Sequence, residues 1–535
     1  MKLKSVRLIS ILMILTMLMG VIGCTPNDPN SGNSGNDKYS NDLSKIVDDL
    51  PLDENGKFDL MLLDNVTLNL WSVIGNPDLK TFEKLISEFN KEYMGMIEIK
   101  LTSVGHNDYY SALNTTYAHD YTNFPDVCIM HNEKNIEYAL KKYFYPIDEL
   151  ITKTGVGIDF ANAYDNIEKT TIHDGKHYGV PVDAHGYLIQ IRQDIIKKNG
   201  LGFDGNTRFI PESYEEHLTL LEGLRKKADE GQLYVRNINA GEDHSWYIWK
   251  DGEKETEKFF PYFLHSQECD NLTALYVNGG SLLDESGKVA FHKNSGFMKY
   301  VEDWVTRTNE GLIGNAGEKE AAFGEGRIVM FSEGPWYVAG TYDGWWNNAE
   351  LATAGNGVSA ADAKDPIYSH PYAVARPNFM AAEGAPESTA SKWYGNGHVV
   401  ALTNKITSMQ KAAAALIFAE WLTQAQNEDG EYNLANWCKA GHLPAWKNVY
   451  ESDSYKAVAS KSITLQAMGD PANILALEST QYASTLISGL NQAVGGVTAE
   501  LLSDGCTLEE ARKLIEEHAA STQDALILLN MGIGK

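Results

Sequence analysis

Cys24 is the first side chain whose position implies chemistry. Lys2, Lys4 and Arg7 precede an unbroken apolar run that ends Val21-Ile22-Gly23-Cys24. A basic start, an apolar stretch of about 15 residues and a small residue before a cleavage point make up an export signal. A cysteine directly behind that small residue adds a thiol that can take a diacylglyceryl group and become the new N-terminus. The run is shorter than the ~20 residues a membrane helix needs. Residues 1–23 therefore read as a cleaved signal and Cys24 as a lipid attachment point on the outer face of a cell membrane.

The other candidate chemistry is recognition. Trp71 and Ser72 close one apolar run, Gly105-His106-Asn107-Asp108 follows a second, and His131-Asn132 follows a third. The chain holds 11 Trp and 27 Tyr, many of them outside obvious helix faces. A formal net charge of -27 argues against nucleic acid, whose backbone demands a basic face. Cys128, Cys269, Cys438 and Cys506 form no C-x-x-C pair and give no metal-site signal, so no metal and no cofactor are expected. Disulfides among them and separately buried thiols both remain open. The sequence holds no G-x-S-x-G elbow, P-loop, H-E-x-x-H or EF-hand loop in a supporting context.

Alternating strands and helices position these groups, a pattern that implies α/β architecture. A first strand is predicted at 66–71. A helix follows, with Asn76 as N-cap, Pro77 at the first helical position and Leu79, Phe82, Leu85, Ile86, Phe89 and Tyr93 on one face. A second strand is expected at 97–104, a helix near 109–118 and a third strand at 126–130. In such sheets ligands bind beyond the carboxyl ends of the strands, which brings Trp71, the turn at 105–108 and His131-Asn132 to one rim. Residues 25–45, rich in Asn, Ser, Gly, Asp and Pro, read as a flexible tether.

The ordered segments LNLW, PDLKTFEKLISEFNKEY, IEIKLTSV, FPDVCIMHN and YFYPIDELI resemble the opening of extracellular solute-binding proteins of the maltose-binding-protein class, the receptors of ABC sugar importers. HDGKHYGVPVDAHGYLIQIRQDIIKKNGL is similar to that family's first crossover, AAFGEGRIVMFSEGPW to its helix-strand-turn, and YGNGHVVALTNKITSMQKAAAALIFAEWLT to its return crossover. The resemblance implies two α/β lobes with a ligand cleft between them. It divides the chain into a signal (1–23), lipidated cysteine and tether (24–58), an N-terminal lobe (59–184 and 398–450) and a C-terminal lobe (185–397 and 451–535). The stretches 229–260 and 340–389 are longer than a minimal member requires. They could lengthen or cap the cleft.

A sugar presents hydroxyls and flat C–H patches, so its site needs aromatic planes and amide or carboxylate groups. By the resemblance, Trp336 takes the stacking position, and Asp183 and His185 lie where the family offers polar side chains; capping a neighbouring helix is the other role open to these two. His131 and Asn132 follow as loop polar contacts. Trp71, Trp393, Trp437 and one of Trp345 and Trp346 complete the candidate set, with packing as the alternative for each. Trp304, Trp421 and Trp446 are assigned to the core. The implied partners are a carbohydrate, the permease subunits and, through the lipid, a membrane of Gram-positive type; the implied state is a monomer. The resemblance implies a non-enzymatic receptor. A glycoside hydrolase, and a receptor for a polyamine, iron chelate or peptide on the same fold, remain as alternatives.

Overall fold

The computed structural model describes residues 40–533 apart from 240, 265, 338–359, 361–363, 478–479 and 504. Two five-stranded sheets organise them. In the first, Ile97–Ser103, Val66–Ser72 and Val127–His131 run parallel, and His398–Leu402 and Val180–Pro181 are added in antiparallel steps. The register sets Trp71 opposite Thr102 and Cys128. The predicted strands thus form, each within a residue of its expected ends.

Alternation along Val66–Ser72 explains its place. Leu68 and Leu70 are fully buried on one face, whereas Asn69 between them is exposed. Helix Met409–Thr423 packs on this strand and helix Leu79–Glu92 on its neighbour Ile97–Ser103, the latter with Phe82, Leu85, Ile86 and Phe89 all buried. Each such side chain contributes about 1.5–3 kcal/mol of burial free energy. The helix begins at Leu79 rather than at the Pro77 expected from sequence, and Asp78 at its N-cap makes no capping hydrogen bond. Asn76–Pro77 is a cis peptide.

The second sheet has the order Ile313–Gly314, Phe260–Phe263, Ile328–Glu333, Leu188–Ile191, Ala373–Ala375. The first three are parallel and Leu188–Ile191 is antiparallel to both its neighbours. Long helices Ala483–Ser503 and Leu508–Ile533 pack on each other and against Ser295–Asn309, which assigns the C-terminus to this lobe. A capping box opens the second of them: the Thr507 and Glu510 backbone N–H groups donate to the Glu510 carboxylate and the Thr507 hydroxyl at 2.9 and 3.2 Å.

Two expectations change. The segment assigned to the tether as far as 58 is docked from residue 41 onward. Asn41 donates to the Phe144 carbonyl at 2.9 Å, Val47 exchanges backbone hydrogen bonds with Thr407 and Met409, and Asp49 accepts from the Ser408 hydroxyl. Buried Ile46 supplies the apolar anchor that polar residues 25–40 lack. Helix Asp453–Ala459, expected in the second lobe, packs on Asn433–Trp437 of the first; only Ile463–Met468 reaches the second sheet. Cys128, Cys269, Cys438 and Cys506 are separate buried thiols.

Candidate functional site

Two extended segments, 182–187 and 394–398, cross between the lobes side by side, and a third, 442–445, lies against them from the first lobe. The His185 and Asn396 backbones exchange hydrogen bonds at 2.7 and 2.6 Å, Val182 N–H donates to the His398 carbonyl at 2.8 Å, and Asp183–Ala184 pairs with Leu443–Pro444. Contact is close enough that a Cβ at Gly397 would sit 2.1 Å from the Asp183 carbonyl oxygen. A side chain there is excluded by space, not by backbone conformation.

The crossings bring Asp183, His185, His398 and His442 together, all buried. Asp183 accepts from the His398 backbone N–H at 2.8 Å, from His398 Nδ1 at 2.8 Å and from the Trp437 indole N–H. His185 Nδ1 and His442 Nδ1 stand 3.0 Å apart, and His442 Nε2 lies 3.0 Å from Asp78 Oδ2. Beyond them His131 is next in a file of rings: its centroid is 5.5 Å from that of His398 and 4.9 Å from that of exposed His106. The Tyr110 hydroxyl lies 3.1 Å from His131 Nδ1.

Burial and charge pull these groups apart in proton affinity. Burial holds His185 down to about 4 and His131 well below the ordinary imidazole range, the neighbouring rings adding repulsion. For His442 burial acts the same way but is outweighed by Asp183 and Asp78, which raise it. Burial acts against the Asp183 carboxylate, yet His398 and His442 hold it well below the usual range. Glu133, two residues after His131 in the first turn of helix Asn132–Leu140, is pushed up to about 8 by burial, and its Oε2 has no hydrogen-bond partner.

The structure sorts the sequence-derived candidates. Asp183, His185 and His131 meet at the crossings, and neither Asp183 nor His185 caps a helix. Asn132 is buried at the start of helix Asn132–Leu140, its N–H donating to the Gly397 carbonyl at 2.8 Å. Trp336, partly buried at the end of strand Ile328–Glu333, stands edge-on to His185 at 5.6 Å and to Tyr187 at 5.7 Å. Trp71 is partly buried and packs against the cluster that includes Tyr109, Tyr117 and Tyr138. Trp393 is 1 % exposed, its ring filling the space over Gly186. Trp437 is also 1 % exposed, one face covered by the His442 ring at 4.7 Å. Both are packed side chains with no open face, because the crossings cover them. Cys24 and Trp345 lie outside the described residues. Trp304, Trp421 and Trp446 are buried as expected.

Sequence reading missed His398, His442 and Asp78. The one visible signal was His398 at the start of the return crossover; His442 and Asp78 carry none, since nothing local to either indicates the other.

Over residues 84–461 the sequence matches the bacterial extracellular solute-binding protein family. The chain belongs to that family. No curated protein matches it. Among solved structures, this solute-binding protein is similar to the GacH receptor of Streptomyces glaucescens, solved unliganded and with acarbose and a homolog, at 15% identity and TM-score 0.61, over 86% of this chain and 99% of that one. It is similar to an ABC substrate-binding protein of Listeria monocytogenes in complex with cycloalternan, at 13% identity and TM-score 0.60 over 86% and 99%. It is also similar to UgpB of Mycobacterium tuberculosis in complex with glycerophosphocholine, at 15% identity and TM-score 0.59 over the same shares. These likenesses establish the two-lobe fold. Among the described residues no helix is long and apolar enough to cross a membrane.

Proposed function

We propose that this solute-binding protein captures a carbohydrate, most simply an oligosaccharide, by closure of the lobes about the crossings at 182–187 and 394–398, and delivers it to the permease of an ABC importer. It acts as a receptor and not as an enzyme, held at the cell surface by a lipid on Cys24. The observation that carries the reading is Trp336, an incompletely buried indole just past the end of a second-lobe strand, beside the His185 imidazole and the Tyr187 ring. An aromatic plane next to polar groups suits a sugar's C–H face and hydroxyls. The acarbose and cycloalternan complexes of similar proteins support the same solute class. A solute that touches both lobes favours the closed arrangement by its differential affinity.

The test is a thermal-shift and scattering screen of the chain begun at residue 40, against mono- and oligosaccharides, glycerophosphodiesters, spermidine, ferric citrate and short peptides. A ligand at 100 times its dissociation constant adds about 2.7 kcal/mol of stability. A raised midpoint and a reduced radius of gyration with one group of sugars, and no shorter sugars released on incubation, are expected. A shift only with a non-sugar overturns the solute class, and product release overturns the receptor reading.

A further inference from the structure

The side chains at the crossings are also suited to a ligand of a different kind. Asp183, His185, His398 and His442 each offer one donor atom, and the four atoms all lie within 4.8 Å of one another. Asp183 and His185 come from the first crossing, His398 from the second and His442 from the first-lobe segment that pairs with the first crossing. We propose that these four side chains form a resident site for a divalent transition-metal ion of the zinc type, which ties the two interlobe crossings to that segment.

Donor chemistry selects the ion. Three imidazole nitrogens and one carboxylate oxygen suit Zn(II) and its neighbours Co(II) and Ni(II), whereas calcium and magnesium take oxygen ligands. Spacing agrees. With metal–ligand bonds of about 2.0–2.1 Å, tetrahedral donors stand roughly 3.3 Å apart. Four contacts among them lie around that value: 2.8 Å from His398 Nδ1 to Asp183 Oδ2, 3.0 Å between the Nδ1 atoms of His185 and His442, 3.6 Å from His442 Nδ1 to Asp183 Oδ2 and 3.7 Å from His185 Nδ1 to the other carboxylate oxygen, Asp183 Oδ1.

Asp78 holds one donor in ligand form, whereas His398 Nδ1 releases to solvent the proton it gives Asp183 when the ion enters. Metal-bound histidines commonly give their second ring N–H to a carboxylate, which fixes the tautomer. Asp78 does this for His442: Nε2–H donates to Oδ2 at 3.0 Å, leaving the Nδ1 lone pair directed at His185 and Asp183. Asp78 Oδ1 is buried without a hydrogen-bond partner, and the side chain gives up the helix cap its position offers. The Trp437 indole N–H and the His398 backbone N–H orient the Asp183 carboxylate. With four protein donors and no open position, the ion is structural. The site stands whether or not the transported solute is a sugar.

The experiment titrates full-length protein, stripped with chelator and dialysed, with Co(II) as a visible probe and then with Zn(II), alongside a thermal scan. One Co(II) per chain, with the intense visible absorption of a four-coordinate ion, displacement by one Zn(II), and a raised midpoint are expected. His442→Gln should abolish the cobalt spectrum. Asp78→Asn keeps all four donors and should weaken binding about 10–100-fold. Circular dichroism confirms that each variant is folded, and His185→Gln serves if His442→Gln is not. No cobalt absorption in the native protein, or absorption and stoichiometry unchanged in both histidine variants, overturns the proposal.

Discussion

Asp78 and His442 are 364 residues apart in the chain and joined by a 3.0 Å contact between Oδ2 and Nε2. Asp78 opens helix Leu79–Glu92 without capping it; His442 introduces the segment that pairs with the first crossing. The helix start therefore goes without a side-chain cap so that His442 gains a partner.

This relationship separates two roles for Asp78. If its task is to hold His442, Asp78→Ser, a good helix cap, should lose stability much as Asp78→Ala does, by about 1.5–3 kcal/mol for a charge-assisted hydrogen bond. Ser408, whose side chain does cap helix Met409–Thr423, should cost about 1 kcal/mol as Ser408→Ala. Urea unfolding of the three variants checks the difference; recovery of full stability by Asp78→Ser would make Asp78 a cap.

Trp336 and Trp393 should fail in opposite ways. Trp336→Ala is expected to weaken carbohydrate binding about tenfold or more, equivalent to about 1.4 kcal/mol, with a small change in midpoint. Trp393→Ala opens a cavity under the crossings and should cost about 3–5 kcal/mol of stability. Calorimetric titration beside thermal unfolding reads both quantities.

Glu133 gives stability a dependence on pH. Folded, it keeps its proton up to about 8; the ordinary value is 4.5. Between those values the folded chain binds a proton that the unfolded chain has released, so this contribution to stability falls as pH rises through the window and levels off above it. The fall amounts to about 1.4 kcal/mol for each pH unit crossed. Glu133→Gln should flatten it and exceed the native protein by a few kcal/mol near pH 8–9. Denaturant midpoints measured from pH 5 to 9 test the sign; a native protein whose stability rises across this range contradicts it.

At the crossings, Gly397→Ala must move the Asp183 carbonyl, which a Cβ would meet at 2.1 Å. Overpacking usually costs about 1–3 kcal/mol, and backbone on the far side cannot rotate away as a side chain would. The variant is expected at or above the upper end of that range, with ligand affinity reduced. An unchanged unfolding midpoint would mean that the crossings are more loosely packed.

Removing residues 1–39 should leave the midpoint unchanged, whereas removing residues 1–59 should lower it. The longer deletion takes away buried Ile46 and the Asp49 acceptor for Ser408. Thermal scans of the two truncations decide whether the body begins before or after this segment.

Local periodicity and residue order determined much of this protein. Alternation in Val66–Ser72, the apolar stripe from Leu79 to Phe89 and the turn residues between them specify elements whose identity depends on neighbours a few positions away, and the strands formed within a residue of their expected ends. Order along the chain was enough to place Asp183 and His185 on a crossing. It could not tell Trp336, with part of its ring uncovered, from Trp393 and Trp437, because exposure depends on which distant segment lies on top. Nor could it join Asp78 to His442 or set three histidines around Asp183. Those contacts exist only where three extended segments from distant parts of the chain pack side by side, and no spacing in the sequence records a distance across them.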